Sequence, residues 1–273
     1  MAGTYIGVSS KARKVKSIYV GVSGKARKVK KVYAGVSGKA RLVYSAGPPS
    51  LALSSLPVGT LIRMAESGTE VAYRIIHQGL PSSLYDSSCN GTWVMREDIY
   101  ARNKFDSTNN DYANSDVHAL INGTFYGLFN SATQAVIKQV KIPYHNGTGS
   151  SGSVSSGSSG LSTKVFLLGG YELNWTTATS SRFPVDGACL SYFSGTAATD
   201  AKRIAYSQGE AYAWWLRSTY LSGTSIVNRV NASGKNANAG CTTIGGVRPA
   251  MVLNSTAVVH GVSNADGSYS LLV

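Results

Sequence analysis

Trp214-Trp215-Leu216-Arg217-Ser218 and, about thirty residues further on, Gly245-Gly246-Val247-Arg248-Pro249-Ala250-Met251-Val252-Leu253 decide how this chain is read. Both stretches are short and apolar, and each carries one arginine. Adjacent tryptophans on a strand point to opposite sides, so one can enter a core while the other packs under a neighbouring loop. An arginine set among such residues is expected to be held by a carboxylate or by carbonyls, because an unpaired buried charge is very costly. Trp214, Trp215, Arg217 and Arg248 therefore read as scaffold. The segment between them is rich in Ser, Gly and Asn and reads as display surface. Its candidate contact residues are Tyr220, Ser222, Thr224, Asn228, Arg229, Asn231, Lys235, Asn236 and Asn238, since Tyr, Asn, Ser and Arg combine contact area with adaptable hydrogen bonding.

Working outward, Lys164-Val-Phe-Leu-Leu168 reads as a short buried strand, and Glu172 just after it is a candidate bidentate partner for Arg217 or Arg248. From Asp116 to Val140 the apolar period is helical. Ser115 or Asn114 is expected to cap a first helix, Ser131 a second, and Pro143 to end it. The oxygen-rich stretch Asp106–Asp116 raises calcium, but it lacks the central Gly and terminal Glu of an EF-hand, so its plainer reading is a loop of Asx turns leading into a helix cap. Leu61–Met64, Val71–His77, Trp93–Arg96, Ala250–Leu253, Ala257–Val259 and Tyr269–Leu272 read as strands, residues 183–193 and 199–206 as loops, and 146–162 as a flexible Gly/Ser-rich loop. The fold class expected is α+β: a mixed sheet with two helices.

The net charge of +13 is not spread over the chain. Residues 1–45 hold eleven of the 26 Lys and Arg and none of the 13 Asp and Glu, which leaves the remainder with about +2. That arm is a repeat with a period of fourteen, starting at Tyr5, Tyr19 and Tyr33. Each unit reads as a β-hairpin with a Ser-Gly turn in the second and third copies and a return strand alternating Lys/Arg with Ala/Val. A hairpin this small cannot stand alone and must stack on something. The arm, 1–46, is thus read as a docking or oligomerisation module carried by Tyr5, Tyr19, Tyr33, Arg13, Arg27 and Arg41; a polyphosphate-binding arm is the rival reading. Residues 47–56 read as a linker and 57–273 as the main domain.

Cys89, Cys189 and Cys241 match neither a disulfide framework nor a CxxC site, leaving room for one bridge at most. No apolar run reaches the ~18–20 residues of a membrane span, and Met1 to Lys16 lacks the apolar core of a signal peptide, so a soluble chain outside the standard export route is expected. His77, His118, His145 and His260 stand in no Ser-His-Asp or HExxH context. No metal, cofactor or catalytic residue is read from the sequence.

The Tyr-x-Gly-Val-x-Gly-x-Ala-Arg-Lys-Val units resemble repeats of bacteriophage structural and tail proteins. Ser115-Asp-Val-His-Ala-Leu-Ile-Asn122, Phe125, Phe129, Val165–Leu168, Glu172, Trp214–Ser218 and Gly246–Ala250 together resemble a domain family of phage and bacterial surface proteins, related to the C-type-lectin-like fold of formylglycine-generating enzymes and retroelement-diversified ligand-binding proteins. The resemblance implies a lectin-like sheet with two helices and a binding face made by the loops before the final strands. It implies a virion structural protein, made in the host cytoplasm, that docks on other virion proteins through the arm and touches a host-surface glycan or protein. A homo-oligomer follows, with a trimer suggested by the phage context. The alternatives are an architectural decoration protein or, further off, an oxidase of the formylglycine-generating type, for which the cysteines offer no copper-holding pair.

Overall fold

A computed structural model describes residues 5–8, 11–14, 18–36, 39–45, 50–175, 183–195 and 199–273; within the arm it describes the side chains of 18–35. The chain falls into two compact units, residues 1–51 with 260–262, and residues 52–259 with 263–273.

The first unit contains three two-stranded antiparallel hairpins, Tyr5–Val8 with Lys11–Lys14, Tyr19–Val22 with Lys25–Lys28, and Lys31–Val36 with Lys39–Ser45. In the second, Ser23 and Gly24 both have positive φ (51° and 73°), the backbone of a turn whose twist matches that of its flanking strands. The turn residues of the other two hairpins, 9–10 and 37–38, and the linker residues 47–49 lie outside the described residues.

The second unit is mixed α+β and mostly sheet, with few helices. In chain order its main strands are β1 (Leu61–Glu66), β2 (Thr69–Gly79), β3 (Gly91–Arg96), β4 (Ala101–Lys104), β5 (Val165–Phe166) and β6 (Trp214–Thr219). They continue with β7 (Ile226–Val230), β8 (Asn236–Gly240), β9 (Ile244–Val247), β10 (Ala250–Leu253), β11 (Val258–His260) and β12 (Tyr269–Leu272). One sheet runs β5-β10-β3-β2-β1-β12-β11, the other β4-β9-β6-β7-β8. Both are mixed: β12 lies parallel to β1, β9 parallel to β6, and the remaining recorded pairs are antiparallel.

Side-chain alternation along the strands feeds two separate cores. Ile62, Tyr73, Ile75, Val94, Met251 and Leu253 face one, and Ile76, Trp93, Met95, Phe166, Ala250 and Val252 face the other. A sheet covered on both faces requires nearly continuous apolar strands, which is why Ala250–Leu253 reads as an unbroken apolar run. The tryptophan pair divides in the same way: Trp214 enters the second core and Trp215 the first. Leu53 and Leu56, in the stretch read as linker, are buried in the first core.

The helical stretch is shorter and more broken than its periodicity suggests. α1 (Asp116–Leu120) is capped by Ser115, whose Oγ accepts from the His118 amide at 3.2 Å. It then relaxes into a π turn at Ile121–Phe125 and a 3-10 turn at Tyr126–Leu128. α2 (Ser131–Val136) is capped by Asn130, which accepts from the Thr133 amide at 2.8 Å, so the cap lies one residue before the expected Ser131. It also ends early, because Val140–Ile142 pairs as a strand with Leu161–Thr163. A third helix, α3 (Thr199–Arg203), occupies a stretch read as loop. All three cysteines are free, Cys89 and Cys241 buried and Cys189 exposed.

Candidate functional site

Strand β6 cannot stay in register over its whole length. It pairs with β7 at Trp214 and Trp215, slips, and resumes at Thr219. At the slip the Arg217 amide turns to the Leu168 carbonyl, 3.0 Å away, and Asn228 of β7 fills the gap by donating from Nδ2 to the carbonyls of Ser218 and Thr219, both at 3.1 Å. The bulge aims the Arg217 side chain into the interior. Its Nη1 and Nη2 meet Glu172 Oε2 and Oε1 at 2.6 and 2.8 Å, with both side chains fully buried. The same guanidinium donates to the carbonyls of Pro143, Leu167 and Asp186. Glu172 is satisfied in turn by the Tyr85 hydroxyl at 2.6 Å and the Gly169 amide at 2.8 Å.

Every donor and acceptor of this clamp has a partner, the condition under which a buried ion pair is tolerated. Burial works against the Arg217 charge, but Glu172 and then Asp186 outweigh it and raise its pKa. Burial, with the Glu172 charge behind it, lifts the Tyr85 hydroxyl well above its ordinary value, so it stays a donor. Arg248 takes the other solution, with the Glu97 carboxylate only at 4.0 Å and backbone carbonyls closer. It donates to the carbonyls of Arg96 and Glu97 at 3.0 and 2.7 Å and lies over the Trp214 ring at 5.1 Å. Burial, opposed mainly by Glu97, brings its pKa down to about 10, which leaves it charged at neutral pH. Glycine is required alongside: a Cβ on Gly245 would stand 2.4 Å from the Trp215 ring.

The clamp anchors four segments, 143–154, 167–172, 183–186 and 217–226. A second anchor is Asn110, fully buried in the oxygen-rich stretch. Its Nδ2 donates to the carbonyls of Tyr220, Gly223 and Ile226, and its Oδ1 accepts from the Gly149 amide at 3.0 Å. Asp106 in the same stretch accepts from Thr108, Asn109 and Asp116, so its oxygens make the Asx turn that leads to the helix cap. Among the described residues no group of three His, Cys, Asp or Glu could hold a metal ion. Asn110→Ala is expected to cost about 2 kcal/mol, because buried carbonyls and an amide lose partners. It should also release protection of the Gly149 amide; denaturant titration and hydrogen exchange read the two effects.

Between these segments lies a cleft of about 430 Å³, lined by His145, Ser150, Gly152–Val154, Phe183–Val185 and Leu221. None of its lining residues is Asp, Glu, Lys or Arg, and Val185 stands half exposed at the rim. The sequence singled out none of these residues. The lining is short Gly, Ser, Pro and Val segments without a motif, and only the folded loops bring them together.

The structure divides the nine expected contact residues rather than gathering them. The polar segment is not a loop: β7 and β8 make it two strands of the second sheet, joined by a turn in which Asn231 Oδ1 accepts from Ser233 and Lys235. Ser222 and Thr224 are exposed next to the cleft, with the Thr224 carbonyl bound by the Asn110 amide at 2.8 Å. Asn231 and Lys235 lie at the opposite end of β7, about 17 Å away along a five-residue strand. Tyr220 and Asn228 are buried, and Asn228 serves the bulge. Arg229 is half-buried, with its Nε sealed and without a hydrogen-bond partner among the described residues. Asn236 is half-buried and Asn238 exposed, both on β8.

In the arm, Tyr19 and Tyr33 are 60% and 54% exposed. Directly opposed residues of a hairpin share a face. Tyr19 opposes Lys28 and Arg27 opposes Val20, so Tyr19 and Arg27 lie on opposite faces and cannot form one contact patch. The backbone register repeats this at Tyr5 opposite Lys14 and Arg13 opposite Ile6, and places Tyr33 opposite Leu42 and Arg41 opposite Ala34. The side chains of Tyr5, Arg13 and Arg41 lie outside the described residues.

Residues 90–255 match the family described as a domain of unknown function, DUF6273, and the chain belongs to that family. The match opens at β3 and closes just beyond β10, so it takes in both arginine-bearing stretches, the clamp and the cleft. Neither a curated protein nor a solved structure matches the chain. No described helix is long and apolar enough to cross a membrane.

Proposed function

We propose that the chain is a bacteriophage virion structural protein, part of a tail, fibre or other surface appendage. Its basic arm docks on other virion proteins or on its own copies, and its lectin-like main domain presents the loop cleft to a host-surface glycan or protein. The observation that carries the binding reading is the contrast between a fully satisfied buried clamp and the open cleft, free of Asp, Glu, Lys and Arg, that it supports. A preorganised concave site with a few polar groups among apolar ones is the usual setting for ligand recognition. The lack of Asp, Glu, Lys and Arg in the lining favours a neutral ligand surface, and a neutral glycan meets that condition.

Val185 is the residue to change, because its side chain stands at the rim and contributes little to the core. Fluorescently labelled full-length chain carrying Val185→Asp is expected to adhere to host cells at least tenfold less well than the parent. A chain carrying Asn231→Ala and Lys235→Ala together should adhere normally. Undiminished adhesion of the Val185 variant, or loss confined to the distal pair, would sink the assignment of the cleft.

A further inference from the structure

We infer that strand β8, Asn236–Gly240, pairs edge to edge with the same strand of a second copy of this chain, about a two-fold axis at Asn238. The inference does not depend on what the cleft binds. It begins with the two edges of the second sheet, which are treated differently. At the β4 edge, Arg102 lies over the Tyr212 ring at 4.1 Å and bonds to Ser207, and Lys104 adds a second charge. The Tyr206 carbonyl accepts from the Ile99 amide just before it, so the short hairpin at 206–211 guards that side. Charge and cover are the usual protections of a sheet edge. The β8 edge, Asn-Ala-Asn-Ala-Gly, has neither charge nor proline.

The register shows which backbone groups this edge offers. The Asn231 amide donates to the Lys235 carbonyl and the Cys241 amide to the Ser225 carbonyl, which fixes the hydrogen-bonded pairs between β7 and β8 at 231 with 235 and 225 with 241. Alternation then makes Arg229 with Ala237 and Val227 with Ala239 the bonded pairs between them. Asn236, Asn238 and Gly240 therefore turn their amides and carbonyls away from β7. Among the described residues the Gly240 carbonyl accepts from Thr243, and the backbone groups of Asn236 and Asn238 have no recorded partner.

The occupant that fits is a second β8. An antiparallel copy centred on Asn238 sets Asn238 against Asn238 and Asn236 against Gly240, so every outward amide faces an outward carbonyl, that of Gly240 being shared with the Thr243 amide of its own chain. Ala237 and Ala239 face each other across the axis without bulk. The two Lys235 side chains fall at opposite ends of the ladder, about 20 Å apart, and do not repel. An arm strand would fit worse. The arm carries Lys and Arg with no acid, and the only charged residues from 219 to 247 are Arg229 and Lys235, so an arm strand would bring like charge to like.

The test uses the full-length chain in analytical ultracentrifugation across a concentration series. Asn238→Lys and Asn238→Asp place like charges against each other at the axis, and each alone is expected to halve the weight-average mass. Mixing the two variants should restore it, which a folding defect could not do. Asn238→Pro blocks the edge without removing an internal hydrogen bond and should also halve the mass. A mass unchanged in all variants, a parent chain with no two-fold step, or a mixture that fails to reassociate would each overturn the pairing.

Discussion

Glu172→Ala is expected to cost about 3–5 kcal/mol of folding stability, a range set by leaving a fully buried guanidinium without its carboxylate. The geometry supports the upper half. Arg217 and Glu172 are both fully buried and joined by two short bonds, and the Tyr85 hydroxyl and the Gly169 amide lose their acceptor at the same time. Replacing both partners, Glu172→Leu with Arg217→Met, is expected to recover only part of the loss. Arg217 also serves the carbonyls of Pro143, Leu167 and Asp186, and these would be left buried and unpaired. Urea titrations at constant slope measure both variants. A Glu172→Ala chain within about 1 kcal/mol of the parent would show that the clamp is solvated rather than sealed.

Much of this clamp was legible in the sequence because its parts are chemically conspicuous. A tryptophan pair followed by an arginine, and a glutamate just after an apolar strand, leave few ways to bury the charge. Choosing Arg217 over Arg248 as the partner of Glu172 was not legible, since the choice rests on the bulge that turns Arg217 inward. The polar segment was misread for a related reason. Asn and Ala have little strand preference of their own, and 236–240 becomes a strand because β7 offers it a ladder. Asn110 was invisible among the Asn and Asp of residues 106–116, as only tertiary structure separates the one that reaches three carbonyls from those making local turns. The cleft was invisible too, because its lining comes from three separate segments without a motif. Sequence chemistry thus exposes residues whose burial is costly and passes over those whose role is positional.

Asp186→Asn is expected to stabilise the protein at pH 7–8, by up to about 3 kcal/mol, and to change little near pH 4. Asp186 is fully buried, and its recorded side-chain donor among the described residues is the Ser218 hydroxyl, 2.9 Å from each carboxyl oxygen. That hydroxyl has one proton and also accepts from the Gly170 amide. Burial pushes the Asp186 carboxyl up to about 6 from 3.8; Arg217 opposes the rise and Glu172 adds to it. The folded state therefore holds this proton more tightly than the unfolded chain does. The stability it contributes is fully present below pH 4 and is lost as pH rises through about 6. Above that, a carboxylate held about two pH units from its ordinary value costs roughly 3 kcal/mol, which the neutral amide avoids. Denaturant midpoints of parent and variant at pH 4, 5, 6, 7 and 8 should diverge across the window between 4 and 6. The divergence should shrink in a Glu172→Gln background, where the neighbouring negative charge that helps raise Asp186 is gone. A variant destabilised equally at pH 4 and pH 8 would mean that the carboxylate oxygens, not the proton, are what the 183–186 segment needs. Because Phe183, Pro184 and Val185 line the cleft and Asp186 follows them directly, this proton couples pH to the candidate binding face through the buried framework beneath it.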